Sequence, residues 1–259
     1  MQDTLKVAII QSSLVWENPN VNREMFSKKI DEITEAVDLI LLPEMFTSGF
    51  TMSPENVFET MEGDTINWMV TIAKTNQTAI GGSMVIKENE TFYNRFVFVA
   101  PEGTIITYDK RHTFTLAGED KVYKAGDSKI IFEYKGWKIC PLICYDLRFP
   151  VWARNVENYD MLIYVANWPK PRINAWDALL KARAIENMSY CVGVNRVGID
   201  DYKHEYVGHS GIYDSLGREL CKITDGIEKT EVIVLEKEHL NSTRTNLKFL
   251  DDRDSFTVE

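Results

Sequence analysis

Apolar residues fall along this chain in short, nearly unbroken runs that end at a proline or a polar pair. Residues 5–11 read LKVAIIQ and residues 38–43 read DLILLP. Runs of about four to eight residues like these predict strands buried on both faces. Between them Asn18-Pro19 is a helix-start signal, a capping side chain followed by proline at the first helical position. Val21, Met25, Phe26, Ile30, Ile33 and Val37 then recur at helical spacing. Strand, helix, strand of this length predicts a βαβ unit and a partly parallel sheet.

The pattern continues with a helix over 64–77, carried by Trp68, Val70 and Ile72. Strands follow over 79–86, 91–100 and 104–108, joined by polar turns, so this meander makes the sheet mixed. Residues 112–126 read as a loop. Strands over 129–134 and 137–143 flank a Lys135-Gly136 turn, and a helix is expected over 150–158. Residues 160–166 (DMLIYVA) form another buried strand. An amphipathic helix over 174–188 precedes strands at 190–197, 211–213, 220–223 and 231–235. Two βαβ-like halves, near 5–43 and 137–197, are joined by antiparallel strands with no linker or repeat between them. This predicts one α/β domain over 1–259, in which two mixed sheets pack face to face with helices outside. The polar stretch 241–259, with Leu247, Phe249, Leu250 and Phe256 as apolar anchors, is long for a free end and is expected to pack on a partner subunit.

Composition narrows the partners. The 259 residues are 44% hydrophobic and 26% charged, ordinary for a globular protein, but the net charge is −10. That charge argues against nucleic acid or an anionic membrane surface, and an acidic substrate would need a local cation. No run reaches transmembrane length, and the N-terminus lacks a signal-peptide pattern. Cys140, Cys144, Cys191 and Cys221 fit neither a disulfide framework nor a CxxC metal site. The expected setting is a reducing cytoplasm. His112, His204, His209 and His239 lack ligand spacing with any cysteine, so no metal is expected.

Three reactive side chains each sit just past the carboxyl end of a predicted strand. Cys144 follows ICPLI and precedes Tyr145-Asp146-Leu147-Arg148-Phe149-Pro150, Glu44 follows LILLP, and Lys110 follows ITYD. Singly, each has an ordinary reading, as core filler, a loop carboxylate or a solvated lysine. Together they occupy equivalent positions on strand ends that converge on a crevice. Acyl transfer from an amide uses this trio. Cysteine attacks the carbonyl, a desolvated glutamate with a raised pKa takes its proton and returns it to departing ammonia, and lysine offers fixed positive charge. The backbone N–H of Tyr145 would join Lys110 in stabilising the oxyanion.

These segments resemble the nitrilase, or carbon–nitrogen hydrolase, superfamily. The matching pieces are Leu41-Leu42-Pro43-Glu44, Tyr108-Asp109-Lys110-Arg111-His112 and the stretch from Ile143 to Pro150, with later matches at Ala166-Asn167-Trp168-Pro169, Arg183-Ala184-Ile185-Glu186-Asn187 and Gly208-His209-Ser210. The resemblance implies a four-layer αββα fold, a Glu44–Lys110–Cys144 triad, and Glu119 as a second acid that orients the lysine and substrate. It also implies dimerisation and no cofactor. Glu44-Met-Phe-Thr-Ser-Gly-Phe50, Thr113-Phe-Thr-Leu-Ala-Gly-Glu119 and Asn167-Trp168-Pro169 followed by Trp176 look most like the ω-amidase branch. That branch hydrolyses the terminal amide of α-keto acid amides such as α-ketoglutaramate and α-ketosuccinamate. Such a substrate requires a cation near the thiol, and Arg148, Arg111 and Arg172 are candidates. Phe46, Trp168 and Tyr145 are candidate pocket walls.

Three other readings stay open at this point. The fold could serve an aliphatic amidase, an N-carbamoyl amidohydrolase or a nitrilase. His209 could make a Cys–His hydrolase. The crevice could bind a small molecule without catalysis.

Overall fold

The computed structural model describes residues 2–223 and 226–257, and the alternation of side chains along its strands explains its layers. β1 (Thr4–Gln11) sends Leu5, Val7 and Ile9 into the space between two sheets, and Ala8 and Ile10 to the opposite side. β2 (Leu39–Leu41) and β4 (Thr91–Val99) divide likewise, with Leu39, Leu41, Phe96 and Phe98 inward and Ile40, Val97 and Val99 outward. α1 (Pro19–Asp31) and α2 (Asp64–Asn76) cover the outward set with Phe26, Ile30, Ile66, Met69 and Ala73. Both strand faces are therefore dry, which is why the sequence shows continuous apolar runs rather than alternation.

β3 (Ala79–Glu88), β5 (Ile105–Asp109) and β14 (Lys229–Glu236) complete the first sheet, in the order β14-β1-β2-β3-β4-β5. β1, β2 and β3 are parallel to one another, and the other pairings are antiparallel. The second sheet comprises β6 (Phe132–Tyr134), β7 (Trp137–Ile143), β8 (Met161–Ala166), β9 (Tyr190–Asn195), β12 (Gly211–Tyr213) and β13 (Glu219–Lys222), in the order β13-β12-β9-β8-β7-β6. Its parallel centre is β7, β8 and β9. α3 (Pro150–Ala153) is a single turn, whereas α4 (Ile173–Asn187) lies tightly on β9. A Cβ added at Gly193 would meet Leu180 at 2.4 Å and Trp176 at 2.8 Å, so only glycine lets the helix approach so closely. The expected αββα sandwich of two mixed sheets is what forms.

Several boundaries differ from the sequence reading, each for a local reason. α1 stops at Asp31, and Ile33 and Val37 pack on the same apolar layer from a loop rather than from a helix. α3 stops at Ala153 because the buried Asn155 captures the chain. Its amide bonds both backbone groups of Tyr159 and the Asn187 carbonyl, while its own N–H donates to Asn187 Oδ1 at 2.8 Å. The strand expected over 190–197 breaks after Asn195. β10 (Val197–Ile199) and β11 (Glu205–Val207) instead form a separate hairpin. Residues 241–247, read as the start of a polar tail, belong to α5 (Lys237–Leu247). That helix is anchored on its own chain, where Lys237 and Arg244 pair with Asp160 and His239 bonds Asp214. Among the described residues, no helix is long and apolar enough to cross a membrane.

Candidate active site

The segments that leave β2, β5, β7 and β8 meet at one seam between the sheets, and their first polar residues form a single cluster. After β2 and Pro43 the chain turns sharply at Met45 (φ 43°), whose N–H donates to Ser83 Oγ at 2.9 Å. This turn presents Glu44, which is fully buried. After β5 comes Lys110, 1% exposed, with its Nζ 2.9 Å from Glu44 Oε1 and 2.9 Å from Glu119 Oε2. Glu119 is also fully buried and opens a 3-10 turn whose approach is set by Gly118 in the left-handed region. Its Oε2 accepts the Phe114 N–H as well. Two carboxylates around one ammonium, all out of water, are costly to bury, an arrangement that marks a candidate functional site.

Cys144 begins the 3-10 turn Cys144–Arg148 directly after β7, with φ of 44°. A left-handed backbone at a non-glycine residue is strained, and here it lifts the sulfur off the strand end. The first amides of the turn, Tyr145 among them, precede any internal partner and can face an anion. Asp146 holds the turn in place. Its Oδ2 accepts the Ile143 N–H at 3.0 Å and the Tyr108 hydroxyl at 2.8 Å, and its Oδ1 accepts the His112 N–H at 2.9 Å. Since Tyr108 and His112 flank Lys110, one carboxylate ties the cysteine turn to the lysine segment. Arg183, from α4, adds a bond of 2.6 Å to the Leu147 carbonyl.

The electrostatics are those of a dry, asymmetric cluster. Burial pulls the Lys110 pKa down, but Glu119 and then Glu44 outweigh it, so the pKa is raised and the amine stays charged. Burial lifts the Glu119 carboxyl above its ordinary value, with Lys110 opposing and Glu44 adding to the rise. Burial also pushes the Cys144 thiol well up, and the negative charge of Glu44 adds to that, against the pull of Lys110. Burial and the neighbouring carboxylates thus favour the neutral thiol over the thiolate.

A cavity of about 500 Å³ opens over this cluster. Cys144 and Glu44 lie in its lining with Tyr145, Trp168, Phe50 and Asn167. Arg148 and Arg172 line it too, stacked on the Trp168 and Phe114 rings at 4.9 and 5.0 Å. Neither guanidinium has an acidic partner among the described residues. Phe46, expected as a wall, is not one. It is fully buried on the helix side of the first sheet, with ring centroids 5.7 Å from Phe26 and 5.9 Å from Trp68. The Met45 turn sends it there, and Phe50 takes the cavity-facing place. Arg111 stacks on Trp152 at 5.3 Å and does not line the cavity. His209 bonds Asp177 at 2.8 Å beside α4 and is likewise outside the lining, which removes the geometric basis for a Cys–His pair.

Sequence reasoning missed several members of the site. Asn94, in the middle of β4, donates to Glu44 Oε1 at 2.8 Å and to Glu119 Oε1 at 3.2 Å, and accepts from Ser83 Oγ at 2.9 Å. Asn167 gives its backbone N–H to Glu44 Oε2 at 2.8 Å and its side-chain amide to the Glu44 carbonyl at 2.6 Å. From the β10–β11 hairpin, Asp200, Tyr202, His204 and Tyr206 line the far wall. The carboxylate of Asp200 is occupied by the Tyr206 hydroxyl at 2.8 Å and by His204.

A four-layer αββα sandwich whose seam gathers a strained cysteine, a lysine and two buried glutamates describes a carbon–nitrogen hydrolase, and the chain belongs to that family. The carbon–nitrogen hydrolase family model matches residues 6–244. The chain is 42% identical to the ω-amidase YafV of Yersinia enterocolitica, over 98% of this chain and 99% of that protein. It is 31% identical to the 2-oxoglutaramate amidase of Bacillus subtilis, over 95% and 96% of the two chains. A carbon–nitrogen hydrolase superfamily protein from Xanthomonas campestris, solved with an arsenic adduct in its active site, superposes with a TM-score of 0.97 at 36% identity, covering both chains fully.

Proposed function

We propose that this protein is a cysteine-dependent amidohydrolase of the ω-amidase type, acting without a cofactor on the terminal amide of α-keto acid amides such as α-ketoglutaramate or α-ketosuccinamate. The observation that carries the reading is the pairing of Cys144 and its buried acids with two guanidinium groups that have no acidic partner among the described residues, all in one small cavity. An acidic amide has the charge to neutralise Arg148 or Arg172 while its far end reaches the sulfur. The names of the relatives point to the same chemistry.

In the first half-reaction Glu44 takes the thiol proton as Cys144 Sγ bonds to the amide carbon, and the carbonyl electron pair moves onto oxygen. Lys110 and the Tyr145 N–H stabilise that oxygen. The carbon–nitrogen bond then breaks, nitrogen takes the proton back from Glu44, and ammonia departs from a thioester on Cys144. In the second, Glu44 takes a proton from water as its oxygen adds to the thioester carbon. The carbon–sulfur bond breaks, sulfur recovers the proton, and the acid is released. Glu119 and Asn94 hold Lys110 and Glu44 in place throughout. Trp168 keeps the Arg148 guanidinium in position over the cavity. A single catalytic domain, working as a homodimer in the cytoplasm, completes the proposal. Exposed Val151, Ile185, Phe249 and Phe256 are apolar surface that a second copy could cover.

The test is ammonia release over a panel of keto-acid amides, glutamine, asparagine, a neutral aliphatic amide and the matching nitriles. Acidic keto-amides are expected to be fastest. Arg148→Met should raise KM for them by about ten- to a hundredfold while leaving the neutral amide little changed. A wild-type preference for neutral amides or nitriles, or equal losses in Arg148→Met on both substrates, would reject the assignment.

A further inference from the structure

The far wall of the cavity carries an imidazole that the proposed cycle does not use. His204 lines the cavity with Tyr202, Tyr206, Arg148 and Arg172, and its side chain is 61% exposed, so the ring is open to solvent. It immediately precedes β11, two positions before Tyr206, and strand alternation turns both side chains away from Glu205. Both meet the same carboxylate. Asp200 Oδ2 accepts from the Tyr206 hydroxyl at 2.8 Å and lies 3.2 Å from His204 Nδ1, while Oδ1 accepts the His204 N–H at 2.9 Å. An ionised carboxylate only accepts, so Nδ1 is the nitrogen that carries the hydrogen, and Nε2 lies at the opposite edge of the ring. Glu205 ties the strand to Lys170 at 2.9 Å, at the head of the 3-10 turn Lys170–Arg172 that brings Arg172 into the same lining. The imidazole and the two guanidinium groups thus border one space.

We propose that His204 is a specificity-determining residue, donating from Nε2 to the carboxylate end of the substrate when its ring is protonated and so making the preference for acidic amides depend on pH. The proposal deepens the ω-amidase reading and rests on it. With the hydrogen on Nδ1, a neutral ring presents a lone pair at Nε2, which repels a carboxylate. The protonated ring donates from both nitrogens, to Asp200 at one edge and to the substrate at the other. The groups around the ring are the Asp200 carboxylate, the Tyr202 and Tyr206 hydroxyls, and the cations of Arg148, Arg172 and Lys170, the last of them met by Glu205. By linkage, an anion that binds the protonated ring better is held more tightly at low pH, and this advantage is lost as pH rises through the titration of the ring. A neutral amide has no such coupling.

The experiment measures kcat/KM for an acidic keto-amide and for a neutral aliphatic amide from about pH 5 to about pH 8. It reads their ratio, in which the ionisations of the shared catalytic groups cancel. In the wild type the acidic-to-neutral ratio is expected to fall by roughly tenfold across that range. His204→Gln should give a low ratio that no longer changes with pH. His204→Lys keeps a cation that does not titrate in this range and should hold the ratio high throughout. A ring that only braces the hairpin through Asp200 would, when replaced, slow both amides alike and leave the ratio and its pH dependence as in the wild type. That result overturns the proposal, and so does a wild-type ratio that is flat with pH. Failure of the underlying reading looks different, since the wild type would then prefer the neutral amide, or release no ammonia from either, at every pH.

Discussion

Cys144→Ala is expected to abolish ammonia release, by about 10⁴-fold or more, while leaving the fold and the binding of acidic amides intact. The sulfur makes and breaks the only covalent bonds the protein forms in the proposed cycle, so no neighbour can substitute for it. Cys140 and Cys191 are the nearest alternatives in sequence and type, but both are fully buried in the apolar core, where burial raises their pKa values above the ordinary thiol range. Neither lines the cavity. Acid quenching of the wild-type reaction followed by mass spectrometry should therefore find the acyl group on the peptide containing Cys144. An acyl group on Cys140 or Cys191, with Cys144→Ala still active, would sink the mechanism. Alkylation should show the same order of access, with Cys144 modified in the native protein and the two core thiols only after unfolding.

Glu44→Gln is the second large effect, expected to lower kcat by about 10²–10⁴-fold with a much smaller change in KM. The amide side chain keeps the shape and can still accept a bond from Lys110, but it cannot take a proton from sulfur. Burial, the largest cause of the raised thiol pKa, persists in the variant and still favours the neutral thiol at neutral pH. The consequence can be read from pH. Raising the pH should partly restore turnover in Glu44→Gln, since hydroxide can remove the proton the missing base no longer takes. Removing the Glu44 charge also removes one cause of the raised thiol pKa, so ionisation should come at lower pH than in the wild type. The check is a single-turnover pH series on the two enzymes. A wild-type rate in the variant at neutral pH would exclude Glu44 as the base.

The layered architecture was legible because strands that are dry on both faces need unbroken apolar runs, and Pro43 and Pro150 mark where two of the relevant segments end. Glu44, Lys110 and Cys144 were legible as reactive types placed at strand ends, and Glu119 through the family resemblance. Asn94 was not, because a single polar residue within TFYNRFVFV reads as one more solvent-facing position. It is 1% exposed and bridges two acids. Asp146 reads as a turn residue, and only the folded chain brings it against Tyr108 and His112, more than thirty positions earlier. The β10–β11 hairpin hides behind Asp200-Asp201-Tyr202-Lys203-His204, a composition that suggests open solvent and gives no hint of a cavity wall. α5 has its strong helix formers diluted by a run of Asn, Ser and Thr between Asn241 and Asn246. Its ion pairs to Asp160 and the burial of Leu240 supply what propensity does not.

The acid and the amine are delivered by the first sheet and the sulfur by the second, so the proposed reacting atoms straddle the boundary between two packed sheets. Their alignment depends on the registration of two slabs of β-structure, which are held by interdigitated apolar side chains together with polar ties such as Tyr108 to Asp146. Mild heating or denaturant that lets one slab slide on the other by an ångström or so should silence turnover while the strands themselves survive. Loss of activity would then report on slippage at this boundary well before circular dichroism reports on melting.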